Sequence, residues 1–419
     1  MRDGAPAHPQ RLDAFEWSVV ALFIAIAMKD GILLVRFPFQ VNLFYFGVTV
    51  AAILGGLKAL RAVRDGWRPK GVTDPALWVF GTPFLAGLWS VIQSADRPTT
   101  FLYSLRLMVL WLVAALIISA CAREVVRLRA LTAFVIGAVG ATAVGYLQRF
   151  VPALGLGTAN TQLLFGESVT RPAGFYLDAN FYGMYLAAAC LVALGLAAVA
   201  STNARRAWWL VASAVMVPII ISTYSRTVWL GLGVGIVMML VLSPWRVRVS
   251  IVAVIAVSVA IGVAFMGSSG VSQRAASIAQ PTKPGSNATR YLMARASVNM
   301  MLDRPIFGTG LEAYDDVYPA YRLPGAETEV SHPHQLPLAF VVETGIAGLL
   351  AELALAALLV WRGLARLRRK TLYDVGLVAA LVAIALGTFL QYFLYYEVMW
   401  LLAALICVPV SAKAVSDTA

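Results

Sequence analysis

The sequence predicts an all-α polytopic membrane protein of about twelve transmembrane helices with one large external loop. Three observations carry that prediction. The mean hydropathy is +0.78, and 60% of the 419 residues are hydrophobic against 13% charged, which is too apolar for a domain solvated by water. The apolar residues come in runs of roughly 20, the length that crosses ~30 Å of hydrocarbon at helical rise. The basic residues behind the formal charge of +12 gather in alternate short loops, as cytoplasmic loops of membrane proteins do, so the charge requires no nucleic-acid partner.

The runs lie near 15–35, 39–57, 75–94, 101–121, 130–148, 179–200, 207–223, 227–243, 249–267, 335–361, 373–391 and 394–412. Lys29 and Asp30 interrupt the first, and RFPFQ leaves little room before the second, so that span is expected to be kinked or partly re-entrant. With the N-terminus in the cytoplasm, the clusters Lys58 to Lys70, Arg123 to Arg129 and Arg362 to Lys370 all fall inside. The polar N-terminal tail precedes an apolar run with no small-residue cleavage site behind it, so the first helix is expected to stay in the mature protein. Cys121, Cys190 and Cys407 sit inside apolar runs without a C-x-x-C spacing and read as small buried hydrophobes.

Two outer segments are long, 149–178 and 268–334, and the chain divides into 1–267, the large loop 268–334, and 335–419. Function is expected in the loops. In the larger one, SNATRYLMARASVNMMLDRP reads as a helix with Ser286 or Asn287 as N-cap and Pro305 past its end, followed by an irregular Gly-, Pro- and Tyr-rich stretch. No internal repeat is visible, which weighs against an inverted-repeat transporter.

The chain has only three histidines, and two of them stand in SHPHQLPL, 331–338. Pro333 suits a helix's first turn, which would put His332 near the cap and His334 inside that turn, where the helix dipole disfavours protonation and leaves an imidazole able to accept a proton. Capping contacts alone would also account for both residues. Three arginines stand at membrane boundaries on the same side: Arg226 in STYSRTVWL, Arg171 at the head of RPAGFYLDANFYG, and Arg290 on the loop helix. A guanidinium there must be paired or solvated, whether by Asp178, Asp303 or Glu327 or by the phosphate oxygens its fork fits. Asp315 and Asp316 in AYDDVYP lack the D-x-D spacing of a divalent-cation pair and read as solvated carboxylates. PIFGTG, 305–310, has no strand before it and no Lys-Ser/Thr, so it reads as a tight turn rather than a phosphate loop.

The YSR step, the arginine on the loop helix, the P-x-F-G-x-G turn and HPHQLPL leading into a G-x-x-G helix (Gly345, Gly348) together resemble the O-antigen ligase and polymerase superfamily of bacterial inner-membrane glycosyltransferases. The resemblance implies a GT-C-like fold. It also implies transfer of a glycan from undecaprenyl pyrophosphate to an acceptor hydroxyl on the periplasmic side, without cofactor, nucleotide sugar or divalent metal. Carried onto this sequence, it makes His334 the catalytic base, with Arg290 and Arg226 neutralising the departing pyrophosphate. Arg171 and His332 would serve as substrate-binding residues. One dominant loop favours a ligase acting on lipid A–core over a polymerase. A lipid-linked oligosaccharide transporter is the alternative of a different class; it would need ionisable groups along a path through the bilayer, where Lys29, Asp30, Arg106, Glu343, Glu352 and Glu397 are the few present.

Overall fold

A computed structural model describes residues 11–31, 33–35, 41–64, 74–157, 159–164, 167–266, 286–328, 330, 332–333 and 335–409. Helices α1 (Ala14–Ala25), α2 (Leu43–Arg64), α3 (Pro75–Ser90), α4 (Arg97–Ala120) and α5 (Glu124–Phe150) come first, then α6 (Ala179–Ala198), α7 (Asn203–Ser222), α8 (Arg226–Leu242) and α9 (Trp245–Met266). The long loop contributes α10 (Ser286–Asp303) and the single turn α11 (Tyr314–Val317). After it run α12 (Leu336–Leu367), α13 (Leu372–Thr388) and α14 (Glu397–Cys407). Eight of these, α2 to α7 with α9 and α12, are long and apolar enough to cross a membrane, while α1 with its extension to Met28, α8, α13 and α14 are shorter apolar helices. Each predicted apolar run holds one of these twelve helices.

Main-chain hydrogen bonding adds detail in two places. The first run is not helical to its end: α1 tightens into a 3₁₀ turn over Ile26–Met28, and Leu33–Val35 (β1) then pairs antiparallel with Val41–Asn42 (β2). The turn RFPFQ lies outside the described residues. The long 149–178 segment carries a second antiparallel hairpin, β3 (Ala159–Leu164) on β4 (Glu167–Pro172), which pairs Asn160 with Arg171. The strands satisfy backbone groups at the bundle's edge without forming a sheet of any size.

Helix starts follow the capping residues that the sequence supplies. Asp13 and Glu16 form a reciprocal capping box on α1, and Asp74, Asp96, Asp178, Thr202 and Ser225 each accept a main-chain N–H at the head of their helices. Helix α6 is the centre of the bundle: every residue from Tyr182 to Ala197 is buried, against α7, α8 and α13. Its small residues permit close approach. A Cβ on Gly376 of α13 would lie 2.7 Å from the Leu191 carbonyl and 2.9 Å from the Gly195 Cα.

At the end carrying the basic loops, the arginines that serve as topology signals are also staples. Arg123 pairs with Glu16, Arg362 with Asp74 and Arg366 with Asp374, each at 2.7 Å. Buried Arg366 also donates to the carbonyls of Leu405, Ile406 and Val408, fixing the end of α14.

The opposite end is organised by a break in α12. Gly345 adopts φ 63°, ψ −147°, a region essentially closed to side chains, and the PIFGTG turn inserts there. In place of the intrahelical partner, the Ile346 N–H donates to the Pro305 carbonyl, while the N–H groups of Thr309 and Gly310 donate to the carbonyls of Val342 and Glu343 at 3.0 and 2.9 Å. The stretch read as a tight turn is therefore a plug that satisfies a broken transmembrane helix. A Cβ at Gly345 would stand 2.4 Å from the Ile306 carbonyl oxygen. Gly345→Ala is accordingly expected to cost at least the ~1–3 kcal/mol of backbone strain, seen as a clear drop in the melting temperature of the detergent-purified protein; an unchanged melting curve would show that the break is dispensable.

Candidate active site

A cavity of about 650 Å³ opens at this end, where the heads of α4, α6 and α8, strand β4, helix α10 and the segments around Glu312 and Tyr392 converge. It brings together Arg171, Arg226, Arg290 and His332, four residues chosen from separate stretches of sequence.

Arg226 owes its position to the residue two before it. Tyr224 is buried and held at φ 51°, one of few non-glycine residues in the left-handed region, and this turn lets Ser225 cap α8 through the Val228 N–H and sets Arg226 in the first helical turn. Arg171, 4% exposed, braces the same corner: its Nε donates to the Thr223 carbonyl at 2.5 Å and its Nη2 to Asn180 Oδ1 at 3.0 Å. Much of its donor capacity is thus used within the protein, so its role is to tie β4, α6 and the YSR corner together as well as to add charge. The N-termini of α6 and α8, whose first residues line the cavity, contribute further positive potential.

Arg290 reaches the cavity from α10. Burial first, and the Arg226 charge second, press its pKa below the ordinary guanidinium value, with Glu327 opposing. Arg290 remains cationic at any physiological pH. Two guanidinia that repel one another in a partly desolvated pocket are stabilised by an anion between them, and phosphate oxygens match their forks.

His332 is half-buried, its ring 4.6 Å from that of Tyr392. His334 lies outside the described residues. The expected helix start is nevertheless corrected: α12 begins at Leu336 with Gln335 as its N-cap, and Pro337, not Pro333, occupies the first turn. Both prolines fit an N1-type position by sequence alone, and a proline at 337 would interrupt a helix begun four residues earlier. Position 334 therefore comes before the N-cap in the sequence and not within the first turn. Of the acidic candidates, Asp315 and Asp316 are exposed on the α11 turn.

The cavity holds residues that the sequence reading did not assign to the site. Lys29 pairs with Glu397 at 2.6 Å, Arg106 stands 3.6 Å from the same carboxylate, and the Tyr45 hydroxyl donates to it at 2.5 Å. Lys29, Asp30 and Arg106 line the cavity, as do Tyr103, Glu312, Tyr392 and Tyr395. Burial raises the Glu312 carboxyl above the usual range, opposed by the neighbouring Tyr392 hydroxyl and the Arg106 charge. The available signals were charges inside apolar runs, KD at 29–30, SLRLM around 106 and YYEVM around 397, each implying a partner that only the fold names.

A family model described as O-antigen ligase matches residues 211–353. The match takes in Arg226, Arg290, Glu312 and both histidines of SHPHQLPL, and leaves out Lys29, Arg106, Arg171 and Glu397. No curated protein matches the chain.

Proposed function

From the O-antigen ligase family assignment carried by residues 211–353, we propose that this membrane enzyme transfers a glycan from undecaprenyl pyrophosphate to lipid A–core, with inversion at the anomeric carbon. The observation that carries this reading is the single cavity shared by Arg171, Arg226 and Arg290 on three different elements. The pyrophosphate lies between Arg226 and Arg290, which offset the charge that develops as the anomeric carbon–oxygen bond breaks. Arg171 holds the corner that presents Arg226. His334 takes the proton of the attacking hydroxyl; His332, two residues away, lines the cavity, and the neighbouring guanidinium charges disfavour an imidazolium. In this reading all twelve apolar helices span the bacterial inner membrane in a GT-C-like arrangement and the cavity faces the periplasm. The single dominant loop favours a ligase over a polymerase.

The test is purified protein incubated with a lipid-linked glycan and lipid A–core as sole acceptor, where glycosylated lipid A–core is the expected product. Extension of the lipid-linked glycan alone would identify a polymerase, and movement of the glycan across a vesicle without bond formation a transporter. Because guanidinium forks supply the positive charge here, transfer is expected to continue undiminished in EDTA without ATP. Loss on chelation, restored by Mg²⁺ or Mn²⁺, would move the chemistry to Asp315 and Asp316.

A further inference from the structure

The cluster of Arg171, Arg226 and Arg290 accounts for part of the cavity lining, and the part around Arg106 is built differently. There the ring of Tyr395 lies under the Arg106 guanidinium at 4.6 Å and 5.5 Å from the ring of Tyr103. Arg106 is held from behind by Glu397. The Tyr395 hydroxyl is buried and has no hydrogen-bond partner among the described residues, although the residue lines the cavity. An orphaned buried hydroxyl is costly, and on a residue that lines a cavity it points to a group that arrives there.

Glu312 stands beside it, and its backbone is fixed with unusual care. It is a non-glycine residue at φ 59°, a conformation that costs about 1–3 kcal/mol and persists only where surrounding contacts impose it. On its N-terminal side the plug is bonded to the break in α12, and Leu311 donates its N–H to Ser90 Oγ and accepts from Thr100 Oγ1. On the other side the Ala313 N–H returns to the Gly310 carbonyl. The hydroxyl of Tyr392, which lines the cavity with Glu312, donates to Glu343 Oε2 at 3.2 Å.

A carboxylate, a guanidinium and an unpartnered phenol set around aromatic faces match the chemistry of a pyranose ring: vicinal hydroxyls that donate and accept, and C–H faces that pack on aromatic rings. They do not match an acyl chain, which would strand every one of these polar groups. We propose that Glu312, Arg106 and Tyr395, with Tyr103, form a sugar subsite that holds a pyranose next to the arginine-bound pyrophosphate. The inference rests on the proposed function, since it takes the arginine cluster as the pyrophosphate site.

The test uses full-length protein in nanodiscs and two probes, undecaprenyl pyrophosphate and the same carrier bearing one N-acetylglucosamine. Wild type is expected to bind the sugar-bearing carrier more tightly. Glu312→Gln and Tyr395→Phe, checked for unchanged elution and melting temperature, are each expected to reduce that preference by about tenfold, the loss expected for a hydrogen bond to a charged or buried group, while affinity for the bare carrier is unaltered. A kept preference with an approximately tenfold higher KM for lipid A–core would also support the subsite and assign it to the acceptor's sugar. The inference is overturned if neither quantity changes, or if both carriers lose affinity by the same factor. A Glu312→Gln chain that does not fold leaves Tyr395→Phe to decide on the same criteria. Wild type that binds neither carrier would remove the proposed function, and this inference with it; wild type that binds and transfers while both variants behave normally would remove only the inference.

Discussion

Replacing His334 with alanine is expected to lower glycan transfer by ~10²- to 10⁴-fold, the range for loss of a general base, with insertion and carrier binding intact. His332→Ala should retain measurable activity, because its ring packs on Tyr392 and orients the wall of the cavity. The two variants separate base catalysis from binding: turnover and carrier affinity are measured side by side, and a His334→Ala protein that loses both together would make the histidine a binding residue. The proposed function sets this base beside the guanidinium charges of the cavity. The pH–rate profile should then rise through one apparent pKa at or below the ~6.5 of free histidine, and that pKa should climb when Arg226 or Arg290 is neutralised, because a cation that disfavoured imidazolium has gone. A profile insensitive to both arginines would contradict this account.

Arg290→Lys is expected to cost ~10²- to 10³-fold in turnover, comparable with removal of a preorganised donor at a developing charge. The charge is kept, but the planar fork is lost. A companion variant addresses the same group from the stability side. Since burial and the Arg226 charge both work against Arg290, Arg290→Gln should melt no lower than wild type while losing transfer, the pattern of a residue kept for function at a cost in stability. A large fall in melting temperature would make Arg290 structural. Arg171→Lys should instead lower the melting temperature, because its bonds to Thr223 and Asn180 brace the corner below Arg226.

The helices were legible because hydropathy over some 20 residues is a sum, tolerant of local detail, and because Asp and Ser caps act on neighbours in sequence. The arginines were legible because each stands conspicuously at the edge of an apolar run. What lay beyond the sequence depends on partners far along the chain. Glu397 looks like a lone acid in YYEVMW until Lys29 and Arg106 are brought to it. Glu312 looks like one more loop carboxylate until Gly308, Gly310 and Gly345 are seen to interlock. The proline of SHPHQLPL was assigned to the wrong turn because two prolines four apart satisfy the same local rule, and only the main-chain hydrogen bonds decide between them.

The plug in α12 bears on how the protein is made. A span broken at Gly345 enters lipid with the carbonyls of Val342 and Glu343 and the N–H of Ile346 lacking helical partners, and those three groups are satisfied only by Pro305, Thr309 and Gly310. The plug precedes the span in the chain, so it is made before the helix whose break it fills. A bilayer offers these groups no water, so the seating of this helix depends on the plug as well as on its own hydrophobicity.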